Sequence, residues 1–169
     1  GMNSSWPDQT YEYVYSLEND GTNVYAGLGS GNGDAEVWRW DGTSWDKIGG
    51  DALNNSWAVN TYQLVASMDY LGGFLYAGLG SDNNEGEVWR WNGTTWTQIG
   101  GDSLNSGWLT GFNIVAELDN DGTNIYAAIG SDTGEGEVWR WNGTTWTKIG
   151  GDGVGSSWNT NYETVRSMT

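Results

Sequence analysis

Residues 86–97 read GEVWRWNGTTWT, and residues 136–147 repeat this stretch without a change. Residues 35–46 give a close variant, AEVWRWDGTSWD, so the copies begin 51 and then 50 residues apart. Each copy alternates polar and apolar residues up to an Asp-Gly or Asn-Gly pair, which is the signature of a tight β-hairpin. The sequence therefore predicts one supersecondary unit that is repeated along the chain.

The repeat extends well beyond this stretch. A tryptophan marks equivalent points as Trp6, Trp57, Trp108 and Trp158. Within the first copy, alternation and turn signals predict four strands, over residues 13–18, 23–28, 36–40 and 45–48. We predict one repeat domain made of three complete copies, 7–57, 58–108 and 109–158, followed by residues 159–169 as the first strand of a partial fourth copy.

Four short antiparallel strands in about 50 residues have the size of one β-propeller blade. The predicted fold is therefore all-β, with three propeller blades and one extra strand. Propeller rings usually need four to eight blades, so we expect self-association to close the ring, as a homodimer or a higher oligomer. A β-trefoil, which also uses three four-stranded repeats, is the alternative.

The repeat resembles bacterial tandem-repeat β-propeller proteins whose repeats have the form LYAG…VWRWDGTSWTKIGG. The matching residues of the first copy are 24–27, 37–45 and 48–50, with counterparts in the later copies. More distantly, the chain is similar to lectin propellers of the tachylectin-2 type, which implies sites for N-acetylated sugars between the blades. The first resemblance implies an extracellular or cell-surface location, although no signal peptide is recognisable in this sequence.

The composition excludes several classes of function. The chain has no Cys and no His, which excludes thiol nucleophiles, Ser-His-Asp triads and zinc sites built on those ligands. Its net charge of −16, from 22 acids and 6 bases, makes nucleic acid an unfavourable partner. Because no apolar run could span a bilayer, we expect no membrane insertion. We also expect no metal site and no cofactor.

Candidate binding residues lie in the loop that ends each repeat. There an Asp follows a Gly pair and a Trp closes the loop, with Asn shortly before the Trp in the first two copies, an arrangement that suits the face and the hydroxyls of a sugar. The candidates are Asp51, Asn54, Asn55, Trp57, Asp102, Asn105, Trp108, Asp152 and Trp158. The alternative is that the Trp packs between blades and the Asp caps the loop backbone. A mixed outcome, a core Trp beside a polar loop that binds, is also consistent with the pattern.

Two further features bear on these candidates. In a propeller, the loops 29–35, 80–86 and 130–136 emerge on the same rim as the candidate loops, where binding residues tend to lie. One arginine per copy stands between two tryptophans, as Arg39, Arg90 and Arg140. We predict that each arginine is structural, paired with an acid such as Glu36, Glu87 or Glu137 or stacked on tryptophan.

The repetition itself favours binding over catalysis. Acids that recur in every copy suggest several equal sites, whereas an active site is asymmetric, and equal sites gain strength through avidity. We therefore predict a non-enzymatic, multivalent carbohydrate-binding module with no catalytic residues. The first alternative is a structural or protein-interaction module of a secreted or surface repeat array, and the second is a carboxylate-based glycosidase.

Overall fold

The structure is a computed structural model that describes residues 5–6, 13–30, 34–58, 62–80, 86–130, 136–159 and 162–168. Within them, twelve strands form three antiparallel blades of four strands each. Blade 1 contains β1 (Tyr13–Asn19), β2 (Val24–Gly29), β3 (Glu36–Trp40) and β4 (Trp45–Gly49). Blade 2 contains β5 (Leu64–Leu71), β6 (Phe74–Gly80), β7 (Val88–Trp91) and β8 (Trp96–Gly100). Blade 3 contains β9 (Ile114–Asn120), β10 (Ile125–Gly130), β11 (Glu137–Trp141) and β12 (Trp146–Gly150).

The fold is all-β and its blades are those of a β-propeller, as the repeat predicts, and the trefoil alternative is not supported. Helical structure in the described ranges is limited to three short 3₁₀ turns, Leu53–Asn55, Leu104–Ser106 and Val154–Ser156. Across these same ranges, no helix has the length and apolar character that crossing a bilayer requires.

The hairpins form because short polar side chains hold their turns. In blade 1, Oδ1 of Asp20 accepts hydrogen bonds from the backbone N–H groups of Thr22 and Asn23, at 2.8 and 2.6 Å. Oδ1 of Asp41 does the same for the two residues at positions 43 and 44, at 2.8 Å each. These are Asx turns, and they confirm the predicted hairpins. The observed strand bounds of this blade differ from the predicted ones by one residue at most.

Adjacent blades touch where the second strand of one meets the first strand of the next. Gly29 pairs with Leu64, and Gly80 pairs with Ile114. A Cβ on Gly29 would lie 2.5 Å from the carbonyl oxygen of the residue before Leu64, so only glycine allows this approach. Gly130 makes the same pairing with Thr164, which places the segment 162–168 against blade 3 where a further first strand would begin.

Buried indoles fill the junctions between blades. Nε1–H of Trp57 donates to the carbonyl oxygen of Ala35 in blade 1 at 2.7 Å, and its ring lies 5.3 Å from that of Trp96 in blade 2. Trp96 in turn donates to the carbonyl oxygen of Ile48 at 2.8 Å. Trp108 repeats the Trp57 contacts between blades 2 and 3, at 2.7 and 5.2 Å. Each buried ring contributes about 4–6 kcal/mol of gross hydrophobic stabilisation, so these junctions hold the blades together.

Candidate functional site

A cleft of about 450 Å³ opens at the junction of blades 2 and 3. One wall comes from the connection that leads into β9, and the opposite wall comes from β11, β12 and the loop after β12. The residues that line the cleft are Gly107, Trp108, Leu109, Thr110, Phe112, Glu137, Trp139, Lys148 and Asp152. Aromatic and aliphatic groups thus face a compact set of charged side chains.

A lysine bridges two carboxylates in this cleft. Nζ of Lys148 donates to Oε1 of Glu137 at 2.6 Å and to Oδ2 of Asp152 at 2.8 Å. The indole Nε1–H of Trp139 donates to the other oxygen of Glu137 at 2.6 Å. The strand register explains this cluster, because an irregularity between β11 and β12 sets Lys148 opposite Trp139. Alternation along β11 then places the side chain of Glu137 on the same face as that of Trp139.

The charges of this cluster are fixed by mutual contact. Burial raises the pKa of Glu137, although hydrogen bonds from Lys148 and Trp139 oppose the shift. Hydrogen bonds with Lys148 and Glu137 hold the pKa of the Asp152 carboxyl below its usual value. Burial acts to lower the pKa of Lys148, but its two carboxylate partners outweigh burial and raise it. At neutral pH the cleft therefore presents an ammonium group beside the partly exposed carboxylate of Asp152.

Blade 1 repeats this cluster. Lys47 bridges Glu36 and Asp51, and Nε1–H of Trp38 donates to Glu36 at 2.7 Å. The ring of Trp6 lies 6.1 Å from that of Trp38. The same side-chain chemistry therefore recurs in blades 1 and 3.

Blade 2 departs from this pattern because Gln98 stands where its neighbours have lysine. Glu87 is still bonded by Nε1–H of Trp89, at 2.7 Å, and the hydroxyl of Tyr62 is a further hydrogen-bond partner. Asp102 faces Glu87 with no ammonium between them. Burial, with a smaller contribution from Asp102, raises the pKa of Glu87 to about 7 in spite of the hydrogen bonds from Tyr62 and Trp89.

The structure places two of the three candidate tryptophans between blades. Trp57 and Trp108 are only 3% and 2% exposed, so their faces are covered by neighbouring rings. Trp158 is half-buried, and its Nε1–H donates to the carbonyl oxygen of Gly136 at 2.7 Å. Trp139, which lines the cleft, and its equivalent Trp89 in blade 2 are more accessible, because both are only partly buried.

The candidate asparagines build the loops. Nδ2–H of Asn54 donates to the carbonyl oxygen of Ile48 at 3.1 Å, and Asn105 makes the same bond to Ile99 at 3.0 Å. Asn54, Asn55 and Asn105 all have φ between 53° and 63°, in the left-handed region that Asn tolerates better than most residues. Residues 31–33, 81–85 and 131–135 of the other predicted rim loops lie outside the described residues.

The cleft combines residues from two successive repeats. Trp108 from the end of one repeat shares it with Asp152 from the next, whereas Asp102 faces Glu87 in blade 2. Sequence reasoning placed each Asp with the Trp of its own loop. It also missed the lysines and the role of Trp139, although a Glu two residues before a Trp in every copy was a usable signal.

Arg39 and Arg90 have partners other than the glutamates named from the sequence. Nη2 of Arg39 lies 3.4 Å from Oδ2 of Asp46, on the neighbouring strand. The guanidinium of Arg90 lies 4.7 Å from the centre of the Phe74 ring. Alternation along the strand explains this, because each arginine follows its glutamate by three residues and therefore points to the opposite face of the sheet.

Neither a known protein-family model nor a curated protein matches this sequence. Among solved structures, "YCF48 bound to D1 peptide" is similar with a TM-score of 0.50 and 12% identity, over 88% of this chain and 46% of that one. A chain of the mitotic checkpoint complex gives a TM-score of 0.50 and 18% identity, over 80% of this chain and 37% of that one. A fucose lectin from Kordia zhangzhouensis gives a TM-score of 0.44 and 14% identity, over 79% of this chain and 95% of that one.

The first two likenesses support the β-propeller fold and carry no information about a ligand. This chain spans less than half the length of either structure.

Proposed function

We propose that the chain is a non-enzymatic carbohydrate-binding module that uses equivalent clefts between its blades. The observation that carries this proposal is the cleft of about 450 Å³ where Trp139 stands beside the Lys148–Asp152 ion pair. Ligand pockets usually measure about 300–1,000 Å³ and combine apolar walls with a few convergent polar groups. The rigid blade junction supplies both features.

The chemistry of the cleft suits a neutral polyol. Asp152 offers hydrogen-bond acceptors and Lys148 offers a donor at the same mouth, which matches hydroxyl groups that both donate and accept. The partly buried face of Trp139 supplies an apolar surface for the C–H face of a sugar ring. A strongly anionic ligand is disfavoured by the net charge of −16. The resemblance to tachylectin-2 makes N-acetylated sugars the first probes.

The arrangement of the carboxyl groups supports binding rather than glycoside hydrolysis. Glycosidases hold their two carboxyl groups about 5–9.5 Å apart so that the scissile bond or a water fits between them. Glu87 and Asp102 instead contact each other through a hydrogen bond. In blade 3, one lysine engages both Glu137 and Asp152.

A glycan array probed with the fluorescently labelled chain tests this proposal. We expect binding to a defined class of glycan and at least a tenfold loss of affinity in Trp139→Ala, because that change removes the apolar wall. Thr147→Ala, at an exposed position of the same blade, is the matched control and should bind normally. Absence of binding to every glycan on the array would contradict the proposal, as would equal binding by both variants.

A protein-interaction function is the second candidate, because blades 1 and 3 each carry an exposed apolar face. On this ground we also propose that the chain associates with itself.

A glycan-binding or array-forming role suits an extracellular or cell-surface location, and we propose this location for the chain. Proteinase treatment of intact source cells, followed by immunodetection, tests that location, and full protection of the protein would contradict it.

A further inference from the structure

The outer face of blade 3 is exposed, whereas the equivalent faces of blades 1 and 2 are buried. Ile48 and Ile99 are 4% and 3% exposed, because the next blade covers them, whereas the equivalent Ile149 is 39% exposed. Ile149 lines a cleft of about 480 Å³ together with Val138 and Trp158, the carboxyl groups of Asp119 and Asp121, and Val165 and Met168 of the segment 162–168. The residues of this surface are equivalent to those that receive a following blade at the two internal junctions.

The opposite face of blade 1 is the uncovered complement. Met68 and Leu118 are 6% and 3% exposed against the preceding blade, whereas the equivalent Leu17 is 66% exposed. Val24 is 38% exposed, and its counterpart Leu75 is 1% exposed. Blade 1 thus presents the surface that packs onto a preceding blade elsewhere in the chain.

We propose that a second copy of this chain packs head to tail, with its blade 1 on blade 3 of the first copy. The two exposed faces are the two halves of an interface that this sequence already forms twice, so another copy fits them without new chemistry. Head-to-tail contacts form closed rings when the rotation permits, and two copies would give six blades, within the usual range of four to eight.

Where blade 3 of one copy meets blade 1 of the next, Trp158 and Trp6 compete for the same position. At each internal junction a single indole bonds the preceding blade and packs on the following one, as Trp57 does with Ala35 and Trp96. At the closing junction Trp158 already bonds blade 3, through Gly136, while Trp6 already packs on blade 1. Only one of these two tryptophans fits when the faces meet.

We assign this place to the tail, whose described residues are 158–159 and 162–168. Trp158 is covalently continuous with blade 3, as Trp57 is with blade 1, and Thr164 is already paired with Gly130. The tail of one copy therefore replaces Trp6 and β1 in the next. Exchange of an equivalent element between copies is a low-cost route to association, because the lost pairing is regained.

This exchange also completes a binding site. At the junction of blades 2 and 3, the segment 107–112 forms one wall of the cleft above Glu137, Lys148 and Asp152. The tail of the partner copy would form the same wall above the Glu36–Lys47–Asp51 cluster of blade 1. This last step rests on the proposed carbohydrate-binding function, whereas the exchange itself does not.

A disulfide that locks β1 in place tests the exchange. Leu17 lies opposite Ala26 in the β1–β2 pair, and the chain has no native cysteine. Light scattering at about 0.5 M NaCl, which screens the repulsion between acidic copies, gives the mass of the Leu17→Cys/Ala26→Cys variant. We expect 18.4 kDa when it is oxidised and twice that mass when it is reduced. Equal association in both states would overturn the exchange.

A matched variant reports the exchanged state directly. Met168 is the tail equivalent of Leu17, so Met168→Cys/Ala26→Cys should form a disulfide between chains and run as a two-chain species without reductant. A disulfide within one chain would contradict the proposal. A single-chain mass for the unmodified protein at every concentration would overturn the association of copies. Absence of glycan binding would not affect either disulfide result, so the two proposals fail separately.

Discussion

Blades 2 and 3 share one strand register around a buried glutamate but neutralise that glutamate in different ways. In blade 3 the ammonium of Lys148 lies between Glu137 and Asp152. In blade 2 Gln98 replaces that lysine, and a proton on Glu87 replaces its charge near neutral pH. The comparison shows that the blade conserves the hydrogen-bonded glutamate and its indole partner, while the source of positive charge varies. Four predictions test this comparison, in order of decreasing effect.

The first prediction concerns the titration of Glu87. Its native pKa of about 7 lies above the value of 4.5 expected for the unfolded chain, so the native state binds more protons between these values. The free energy of unfolding should therefore fall as the pH rises through this window, by about 3 kcal/mol in total. Glu87→Gln should remove this contribution, as measured by urea unfolding at pH 5 and pH 8.

The exposed Glu163 provides the control, because Glu163→Gln changes the same residue type outside any cleft. It should retain the pH dependence of the unmodified protein. A Glu87→Gln variant with an unchanged pH dependence would show that blade 2 does not hold a protonated glutamate.

The second prediction concerns the lysine of blade 3. Lys148→Met leaves Glu137 buried without its cation, and unfolding free energy should drop by about 2 kcal/mol at pH 8. The loss should be smaller at pH 5, because burial raises the pKa of Glu137 and a proton can then replace the missing charge. Chemical unfolding at both pH values measures the difference, and an equal loss at both would contradict this explanation.

A double variant sharpens this result. Phe112→Tyr/Lys148→Gln gives blade 3 the residues that blade 2 has at positions 62 and 98. It should be more stable than Lys148→Gln alone, because the added hydroxyl can bond Glu137 as Tyr62 bonds Glu87. If the tyrosine adds no stability, the two clefts do not share the geometry described above.

The third prediction is the reverse change in blade 2. Gln98→Lys should restore the bridge between Glu87 and Asp102 and stabilise the protein by about 1 kcal/mol at pH 8. It should also lower the pKa of Glu87 from about 7, because the charged form gains a cation. Titration of the Glu87 carboxyl by NMR measures the shift, and an unchanged pKa would contradict the proposed equivalence.

The fourth and smallest prediction concerns the exposed arm of the bridge in blade 1. Asp51→Asn should cost about 0.5 kcal/mol, because Asp51 is largely exposed and exposed ion pairs contribute little. Glu36→Met should cost more, because the side chain of Glu36 is 5% exposed and its removal leaves the buried Nε1–H of Trp38 without its acceptor, although Lys47 keeps Asp51. Thermal unfolding of both variants compares the arms, and equal losses would contradict this ranking.

Local patterns were sufficient to predict much of the fold. Asp20 and Asp41 act within a few residues, so the Asp-Gly pairs located the hairpins correctly. The sequence Glu36 to Trp40 alternates over a complete strand, so its bounds were predicted without error. These features depend on neighbours along the chain, which is why the sequence alone reveals them.

The candidate site depended on contacts that no local pattern encodes. The Trp108–Asp152 cleft joins two repeats, so it could not be recognised within a single loop. The position of Lys148 opposite Trp139 depends on a strand irregularity that skips Ile149. Because that shift decides which face the lysine occupies, alternation alone gave no reason to connect it with Glu137.

The most direct test of the carbohydrate-binding proposal is to follow the indole N–H signals of the ¹⁵N-labelled protein by NMR while adding the glycan selected on the array. Trp139 lines the cleft and is partly buried, as is its equivalent Trp89 in blade 2, whereas Trp57 and Trp108 are buried between blades. We predict saturable shifts of the Trp139 and Trp89 signals, with smaller changes at Trp57 and Trp108. Shifts confined to tryptophans outside the clefts, or no shift at saturating glycan, would contradict the proposal.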